Sequence, residues 1–185
     1  MSPMNNPWIF AAAIAMATVS AGRAAGEVVS VAAHGFELRE TVHVAASTDL
    51  VYAAMITPAR WWSSDHTYSG NAANLKLEAR AGGCWCETLP DGGSVEHLRV
   101  VYLSPGKSLR LRGALGPFQG LGVEGAMTWS LKSAAGGTDV SWTYAVGGYA
   151  KDGFEMLSKA ADGVLGAQLE RLKELVEGES APRAR

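Results

Sequence analysis

Hydrophobic residues recur every three or four positions between Phe154 and Glu177, and mostly charged residues fill the positions between them. This spacing places the apolar side chains on one face and predicts a single long amphipathic helix near the C-terminus. Its middle holds Gly163 and Gly166, each of which costs a helix about 0.5–1 kcal/mol relative to alanine. Together with Ala160 and Ala167 they form a patch with almost no side chain. Such a patch indicates either close packing against a strand or one wall of a ligand cavity.

Upstream of this helix, hydrophobic and polar residues alternate in several short runs, which is the pattern of strands that bury one face. The first strand is predicted over residues 36–44, with Glu40 among the residues of its apolar face. Ser47 then offers an N-cap for a short helix, which has to end before Pro58. A second strand is predicted over residues 75–79.

The residues from Pro90 to Gly93 form a strong turn between two alternating runs and predict a hairpin. A hairpin closed there sets Trp85 opposite Leu98 and Glu87 opposite Glu96. Because side chains alternate along a strand, this register places all four on one face. The opposite face has a solvated composition and collects Cys84, Cys86, His97, Arg99, Arg110 and Arg112.

Two further turns, at residues 104–107 and 134–137, extend the same sheet. Both registers place large apolar residues on the face that carries Trp85. The predicted partners are Tyr102 with Leu109, Val100 with Leu111, Leu131 with Val140, Trp129 with Trp142, and Met127 with Tyr144.

The predicted order is therefore a strand, a short helix, about six antiparallel strands and one long amphipathic helix. An antiparallel sheet with one apolar face has to cover that face, and the C-terminal helix is the available cover. We therefore predict an α+β fold in which a curved antiparallel sheet wraps around the C-terminal helix. A closed lipocalin-like barrel is the alternative, and it leaves the apolar face of the helix unexplained.

Three stretches of the chain resemble the SRPBCC superfamily, whose members include START lipid-transfer domains, the birch-pollen allergen and aromatase/cyclases. They are residues 51–62 (VYAAMITPARWW), residues 81–87 (AGGCWCE) and the closing helix, within a likeness that covers residues 36–177. Residues 61–70 also look like a subgroup of small bacterial members. The resemblance implies a helix-grip fold with a cavity between sheet and helix for apolar or aromatic molecules. It implies no single chemistry, because function resides in the site and not in the fold.

Length and charge limit the functions that this domain can have. The 185 residues suggest one domain, and 16 Lys and Arg residues nearly balance 18 Asp and Glu residues. No basic stripe with interleaved aromatic residues is present, so nucleic acid is not expected as a partner. The sequence also has no nucleophile–base motif, phosphate-binding loop or nicotinamide fingerprint. This weakens an enzymatic function without excluding it, and no cofactor is expected.

The two ends of the chain are predicted to lie outside this domain. Residues 1–25 have the pattern of an export signal, because their apolar run is too short to span a bilayer comfortably and small residues follow it. Cleavage after Ala21 or Ala24 would give a bacterial periplasmic or secreted protein without a stable membrane span. An uncleaved anchor is the alternative. Residues 26–35 are predicted to be a linker, and residues 178–185 a disordered tail.

Glu87 and Glu96 are the first candidates for chemistry, since the predicted register places them side by side towards the cavity. Two neighbouring carboxylates in an apolar pocket cannot both ionise cheaply, so the pKa of one would rise and that group could act as a general acid. The alternative is a solvated position at the end of the hairpin. His66, beside Asp65 and Tyr68, is a second candidate, because histidine carries protons near neutral pH. A structural histidine bonded to backbone is the alternative there.

Large residues on the inner face are the candidates for ligand binding, since aromatic side chains stack on flat molecules. For any single one of them, a plain core position is the alternative. The residues predicted to line the cavity are Trp62, Tyr68, Trp85, Leu98, Val100, Leu111, Met127, Trp129, Trp142 and Tyr144.

Cys84, Cys86 and His97 come together on the outer face in the predicted register. They offer three ligands to a soft metal ion, but no fourth ligand is evident, and no metal site is predicted. The two cysteines are the only ones in the chain and point the same way along a strand, so both a disulfide and two free thiols remain open. The glycine-rich residues 113–122 could gate the cavity or serve as an ordinary connection.

Three functions are compatible with these patterns. The first is a binding module that holds a small apolar or aromatic molecule, such as a lipid fragment or a polyketide-like compound. The second is an enzyme of the cyclase or dehydratase kind, in which Glu87, Glu96, His66 or Tyr144 moves protons. The third is a protein–protein interaction domain, which predicts a filled core and an exposed apolar patch instead of a cavity. The sequence specifies neither the ligand nor the oligomeric state.

Overall fold

The computed structural model describes residues 25–181 and confirms the predicted α+β architecture. Eight antiparallel strands form one curved sheet in the order β1-β2-β8-β7-β6-β5-β4-β3, and the long C-terminal helix packs against it. The elements are β1 (Ala25–Ala32), β2 (Gly35–Val44), α1 (Thr48–Met55), β3 (Leu75–Leu77), β4 (Cys84–Thr88), β5 (Ser94–Ser104), β6 (Ser108–Arg112), β7 (Gly122–Ala134), β8 (Gly137–Tyr149) and α2 (Glu155–Ser180).

Helix α2 confirms the predicted amphipathic pattern. Its buried residues recur at intervals of three and four, which places them on the face that covers the sheet. Most of its contacts with the sheet are to β2 and β1, so the helix crosses one edge of the sheet. Within residues 25–181, no helix is both long and apolar enough to cross a membrane. The buried positions are Ser158, Ala161, Leu165, Gln168, Leu169, Leu172, Lys173 and Val176.

Secondary structure extends beyond both ends of the predicted range of residues 36–177. Residues 26–35 are not a linker, because most of them form β1, which pairs with β2 across a tight turn at Ala33 and His34. At the other end, α2 continues through Ser180, beyond residue 177, where the helix was predicted to end. The predicted export signal, apart from residue 25, and the last four residues of the predicted tail lie outside the described residues.

The β7–β8 hairpin confirms the predicted register in full. Its turn closes between Ala134 and Gly137, as the sequence indicates. The short-range signals are consistent along both strands, and no bulge interrupts the pairing. The confirmed pairs are Leu131 with Val140, Trp129 with Trp142, and Met127 with Tyr144.

The β4–β5 hairpin agrees with the prediction only on one side of a β-bulge. Trp85 lies opposite Leu98 as predicted, but Cys86 lies opposite Glu96 and not His97. One extra residue on β5, His97, therefore has no partner on β4. Because a bulge reverses the alternation of side chains, every pair beyond it is shifted by one residue.

A second bulge changes the β5–β6 pairing. Val100 lies opposite Leu111 as predicted, but the predicted pair of Tyr102 with Leu109 is wrong, because Tyr102 lies opposite Arg110. The additional residue is Val101, and its side chain and that of Tyr102 are both exposed.

Five tryptophans form one continuous cluster in the core between the sheet and the segment that follows α1. Trp129 and Trp142 stack, with ring centroids 5.0 Å apart and planes 19° from parallel. Trp61 contacts both of them, and Trp62 and Trp85 continue the cluster edge to face towards β4. All five indoles are buried, so this cluster supplies a large share of the buried apolar area.

A buried carboxyl group explains one of the two glycines in α2. Glu40 of β2 is only 1% exposed and points at Gly166, and a Cβ atom at Gly166 would approach its carboxylate to 3.1 Å. On the other side, a Cβ atom at Gly26 of β1 would collide with the same carboxylate. Close packing is therefore the role of Gly166, whereas Gly163 has no neighbour close to its missing side chain.

Glu40 has a second carboxyl group, that of Asp162, as its neighbour. Burial, followed by the repulsion of Asp162, raises the pKa of Glu40 from 4.5 to about 8. Within the described residues, no donor reaches either oxygen of Glu40 or Oδ1 of Asp162. Protonated Glu40 can therefore donate a hydrogen bond to the Asp162 carboxylate.

Candidate functional site

A cavity of about 420 Å³ lies between the sheet, α2 and two connecting segments. The helix contributes Leu157, Ala160, Ala161, Val164 and Leu165, so the residues of α2 on this side are a cavity wall. The small-side-chain patch predicted in the helix is thus divided between two roles, since Gly166 packs against Glu40 and Ala160 faces the cavity.

Two connecting segments complete the wall of the cavity. The first comprises residues 62–70 and the second residues 113–121, which we call the front segment and the glycine segment. The Tyr68 hydroxyl of the front segment donates a hydrogen bond of 2.8 Å to the carbonyl oxygen of Gly116 in the glycine segment. This bond lies at an exposed position, so it joins the two segments across the mouth of the cavity.

The α2 helix holds the front segment from below. The side-chain oxygen of Gln168 accepts a hydrogen bond of 2.7 Å from the backbone N–H of Ser63. Arg171 donates to the carbonyl oxygen of Trp61, and the Trp62 indole donates to the carbonyl oxygen of His66. These bonds fix the start of the segment, and they position Trp62 in the cavity wall.

Glu87 anchors the other end of the front segment from β4. Its carboxylate accepts hydrogen bonds from the backbone N–H groups of Tyr68 and Ser69, and it contacts the ring of His97. Burial acts to raise the pKa of Glu87, but the hydrogen bonds from Ser69, Tyr68 and His97 outweigh burial and hold the pKa below its ordinary value. Glu87 is therefore an ionised carboxylate near neutral pH, and it does not have the raised pKa expected of a general acid.

The bulge in β5 turns His97 towards Glu87. Nε2 of His97 lies 2.9 Å from Oε2 of Glu87, and both side chains are buried. Because an ionised carboxylate can only accept, Nε2 carries the proton of this bond and Nδ1 is the unprotonated nitrogen. Burial lowers the pKa of His97, while Glu87 acts in the opposite direction without cancelling the effect. The imidazole is thus neutral near pH 7, and it forms part of the cavity wall.

Tyr144 of β8 places a hydroxyl group in the same wall. Its oxygen accepts a hydrogen bond of 3.1 Å from the backbone N–H of Leu115 and donates one of 3.2 Å to the carbonyl oxygen of Gly113. Burial raises the pKa of Tyr144 to about 12, so the phenol keeps its proton at physiological pH. It is a hydrogen-bond donor and not a base.

The predicted ligand-binding residues divide into two groups in the structure. Trp62, Tyr68, Trp85 and Tyr144 line the cavity, and so does His66, which was predicted as a catalytic candidate. The remaining side chains are buried in the core and do not line the cavity. This second group comprises Leu98, Val100, Leu111, Met127, Trp129 and Trp142.

The predicted carboxylate pair of Glu87 and Glu96 does not form. The bulge at His97 places Glu96 on the exposed face, where it pairs with Arg99, while Glu87 stays on the buried face. The same bulge exchanges the expected positions of Glu96 and His97. His97 is therefore the functional candidate that the sequence pattern assigned to the wrong face, and no glycine or proline in residues 94–98 marks the bulge.

The outer face of this hairpin carries a disulfide between Cys84 and Cys86, whose Cα atoms are 5.3 Å apart. Of the two alternatives for the cysteines, the structure shows the disulfide and not the pair of free thiols. The sulfur atoms lie near the Glu96 carboxylate, within the 4.8 Å that a metal ion could bridge. Since metal binding needs thiolates and His97 points inward, the expected group of two cysteines and a histidine does not assemble.

Comparison with known proteins places the chain among proteins of one fold. A family model described as polyketide cyclase / dehydrase and lipid transport matches residues 35–177. No curated protein matches the sequence significantly.

Solved structures agree with this match at low sequence identity, so they carry information on the fold alone. Protein MLL2253 from Mesorhizobium loti is 14% identical, with 77% of this chain and 97% of that chain covered and a TM-score of 0.58. Protein CV1439 from Chromobacterium violaceum is 22% identical, with 76% and 96% covered and a TM-score of 0.56. CalU16 from Micromonospora echinospora is 15% identical, with 85% and 87% covered and a TM-score of 0.53.

Proposed function

The chain belongs to the polyketide cyclase/dehydrase and lipid-transport family, and from this membership we propose that it binds a small hydrophobic or aromatic molecule between the sheet and helix α2. The observation that carries the proposal is the cavity of about 420 Å³, whose wall is mostly aromatic and aliphatic. This volume falls within the range of about 300–1,000 Å³ that is usual for small-molecule sites. A protein–protein interaction domain would instead have a filled core at this place.

The composition of the wall favours an uncharged ligand. Among the described residues that line the cavity there is no lysine or arginine, so a phosphate or carboxylate head group would lack a cationic partner. The buried polar groups of the wall include the neutral His97 imidazole and the Tyr144 hydroxyl. A flat, neutral molecule with one or two oxygen atoms matches this wall, and Trp62 and Trp85 offer it aromatic contacts.

Entry of the ligand requires movement at the mouth. The Tyr68–Gly116 hydrogen bond closes the gap between the front segment and the glycine segment, and Asp65 and His66 lie beside it at exposed positions. Breaking one exposed hydrogen bond costs about 1 kcal/mol, so opening is compatible with rapid exchange of ligand.

Native mass spectrometry of the protein isolated from its own cell, followed by extraction under denaturing conditions, tests the proposal directly. A bound neutral mass at one molecule per chain is expected. Titration with 1-aminoanthracene, a neutral flat fluorophore, supplies an affinity for an occupant of known structure. Absence of both a co-purified mass and saturable probe binding would contradict the proposal.

Val164→Phe is expected to weaken 1-aminoanthracene binding by about tenfold or more, because the larger side chain occupies part of the cavity. Val164 lines the cavity from α2 and is half-buried. The matched control is Ala167→Phe, on the exposed face of the same helix, which should leave the dissociation constant within about twofold of the original. Equal loss of affinity in both variants would place the probe outside the cavity.

We also propose that the protein is exported to the periplasm or secreted. The short apolar run in residues 1–25 supports this, and so does the Cys84–Cys86 disulfide, because disulfides persist mainly in oxidising compartments. The mature chain is expected to begin at Gly22 or Ala25, either of which preserves strand β1. Intact-mass measurement of the periplasmic fraction checks this, and an unprocessed chain found only in the cytoplasm would contradict it.

A further inference from the structure

The two members of the Glu87–His97 pair differ in how many of their polar atoms are hydrogen-bonded. The Glu87 carboxylate accepts hydrogen bonds from two backbone N–H groups, those of Tyr68 and Ser69, and from the His97 imidazole. His97, by contrast, is 6% exposed and uses only Nε2, and within the described residues no hydrogen-bond partner reaches Nδ1. Nδ1 is not among the buried side-chain atoms that lack a partner, so this nitrogen is accessible. An accessible imidazole nitrogen in a cavity wall is a group that can act on a ligand.

The position of the free nitrogen follows from the geometry. His97 lines the cavity, whereas Glu87 lies behind it and is not part of the wall. Nε2 is occupied by Glu87, so Nδ1 is the ring nitrogen that remains available to a molecule in the cavity that His97 lines. A buried carboxylate on one nitrogen fixes both the tautomer and the orientation of an imidazole, and it leaves the second nitrogen as a base.

We propose that His97 is the general base of an acid–base activity in this cavity, with Glu87 as its positioning residue and a neutral hydrophobic ketone as the class of substrate. This inference rests on the proposed binding function, because it concerns the same cavity. In the proposed step, Nδ1 takes a proton from the carbon next to the carbonyl group. The C–H electrons become the double bond of an enolate, and the carbonyl oxygen takes the negative charge.

The rest of the wall supports proton transfer over other reaction classes. The wall residues that the structure describes include no serine, cysteine or lysine that could attack a substrate, and the Thr67 hydroxyl donates to the carbonyl oxygen of Ser64. Tyr144 supplies a protonated hydroxyl whose present bond to Gly113 is long, at 3.2 Å. Redirected to a bound ketone, this hydroxyl would donate a hydrogen bond to the enolate oxygen. Return of the proton from Nδ1 completes a cycle without any other reactant.

The test is exchange of hydrogen for deuterium in 2-tetralone, a flat neutral ketone with acidic C–H groups on both sides of its carbonyl. In D₂O near neutral pD, the protein is expected to accelerate deuterium uptake by about 100-fold or more over the same concentration of free imidazole. His97→Gln keeps a donor for Glu87 and should abolish this acceleration. Its affinity for 2-tetralone, measured by displacement of 1-aminoanthracene, should stay within about threefold of the original.

His43→Gln is the matched control. His43 also bonds a carboxylate, that of Asp139, at 2.8 Å, but the pair lies at the surface outside the cavity. This variant should exchange 2-tetralone as fast as the original protein. For Glu87→Gln, a slower maximal rate is expected, together with an acid limb of the rate–pH profile that moves to lower pH, because loss of the carboxylate lowers the pKa of His97. A merely structural role of Glu87 would not move that limb.

The outcomes separate this inference from the function it rests on. If 2-tetralone binds but exchanges no faster with the original protein than with His97→Gln, the acid–base activity is overturned and the binding function stands. If neither 2-tetralone nor 1-aminoanthracene binds, the binding function falls and the inference with it. Should His97→Gln fail to fold, the profile of the original protein decides. Its rate has to fall with protonation of one group whose pKa lies below that of an ordinary histidine, and a flat profile overturns the proposal.

Discussion

Glu87→Ala is expected to lower the free energy of unfolding by about 3 kcal/mol and to release the front segment from the cavity. The substitution leaves the N–H groups of Tyr68 and Ser69 and the Nε2–H of His97 without their common acceptor. Each buried donor left unpaired costs about 1–3 kcal/mol, and water that enters the new space recovers part of that cost. Urea unfolding measures the stability, and hydrogen exchange at the amides of Tyr68 and Ser69 measures the release.

The same variant gives a signed pH dependence. The pKa of Glu87 is lower in the folded chain than its ordinary value of 4.5, so its stabilising effect is complete above pH 4.5 and is lost as the pH falls through the folded value. The stability difference between the original protein and Glu87→Ala should therefore shrink on acidification. The control is Glu96→Ala on the exposed face of the next strand, where about 0.5 kcal/mol or less is expected. Comparable losses at both positions would show that Glu87 is not the anchor of the segment.

Glu40→Gln is expected to stabilise the protein at alkaline pH. The folded chain keeps the Glu40 proton up to about pH 8, whereas the unfolded chain releases it near pH 4.5. Stability of the original protein therefore falls as the pH rises between these two values and levels off above them. Glutamine cannot ionise, and its amide group can donate to Asp162. With some relaxation of the carboxylate towards water, the expected gain is about 2–3 kcal/mol at pH 9 and close to zero at pH 4.

Unfolding curves at several pH values between 4 and 9 test this expectation. Glu37→Gln is the matched control, since Glu37 lies on the same strand and points to the opposite face. Glu37→Gln should not give the gain in stability at pH 9, because Glu37 does not share the buried site of Glu40. A pH-independent effect of Glu40→Gln would mean that Glu40 ionises at its ordinary pKa. Burial and the neighbouring Asp162 would then not raise the pKa of Glu40.

Local signals explain which parts of the fold are predictable from sequence. The β7–β8 hairpin is correct to the residue because a compatible turn and two long alternating runs specify the same register. Helix α2 is correct because its periodicity extends over several turns. Strand β1 is missed because its eight residues carry few large apolar side chains and its pairing depends on β2 and α2. Gly26 and Gly166 accommodate Glu40 only once β1, β2 and α2 have packed together, so the local sequence does not reveal their role.

The candidate site is less predictable than the fold, for two physical reasons. A bulge adds one residue to a strand, and residues 94–98 contain no glycine or proline that would indicate it. The bulge nevertheless reverses which of Glu96 and His97 faces inward. A cavity wall and a filled core also require the same apolar residues, so Trp85 and Trp129 look alike although only Trp85 reaches the cavity. Other wall residues, such as Tyr68 and Leu115, come from connecting segments, whose path depends on contacts such as those of Glu87 and Gln168.

The tryptophan cluster gives the protein an unusual optical property. The stacked rings of Trp129 and Trp142, with Trp61 and Trp85 in contact, bring strongly absorbing transitions within 5.0–6.2 Å of one another. Transitions at such distances couple as excitons, and the resulting pair of bands in far-ultraviolet circular dichroism has opposite signs and overlaps the peptide signal. Reference spectra of ordinary proteins would therefore misjudge the helix and strand content of this chain. Loss of the coupled bands would instead report separation of the indoles, even in a state whose backbone hydrogen bonds persist.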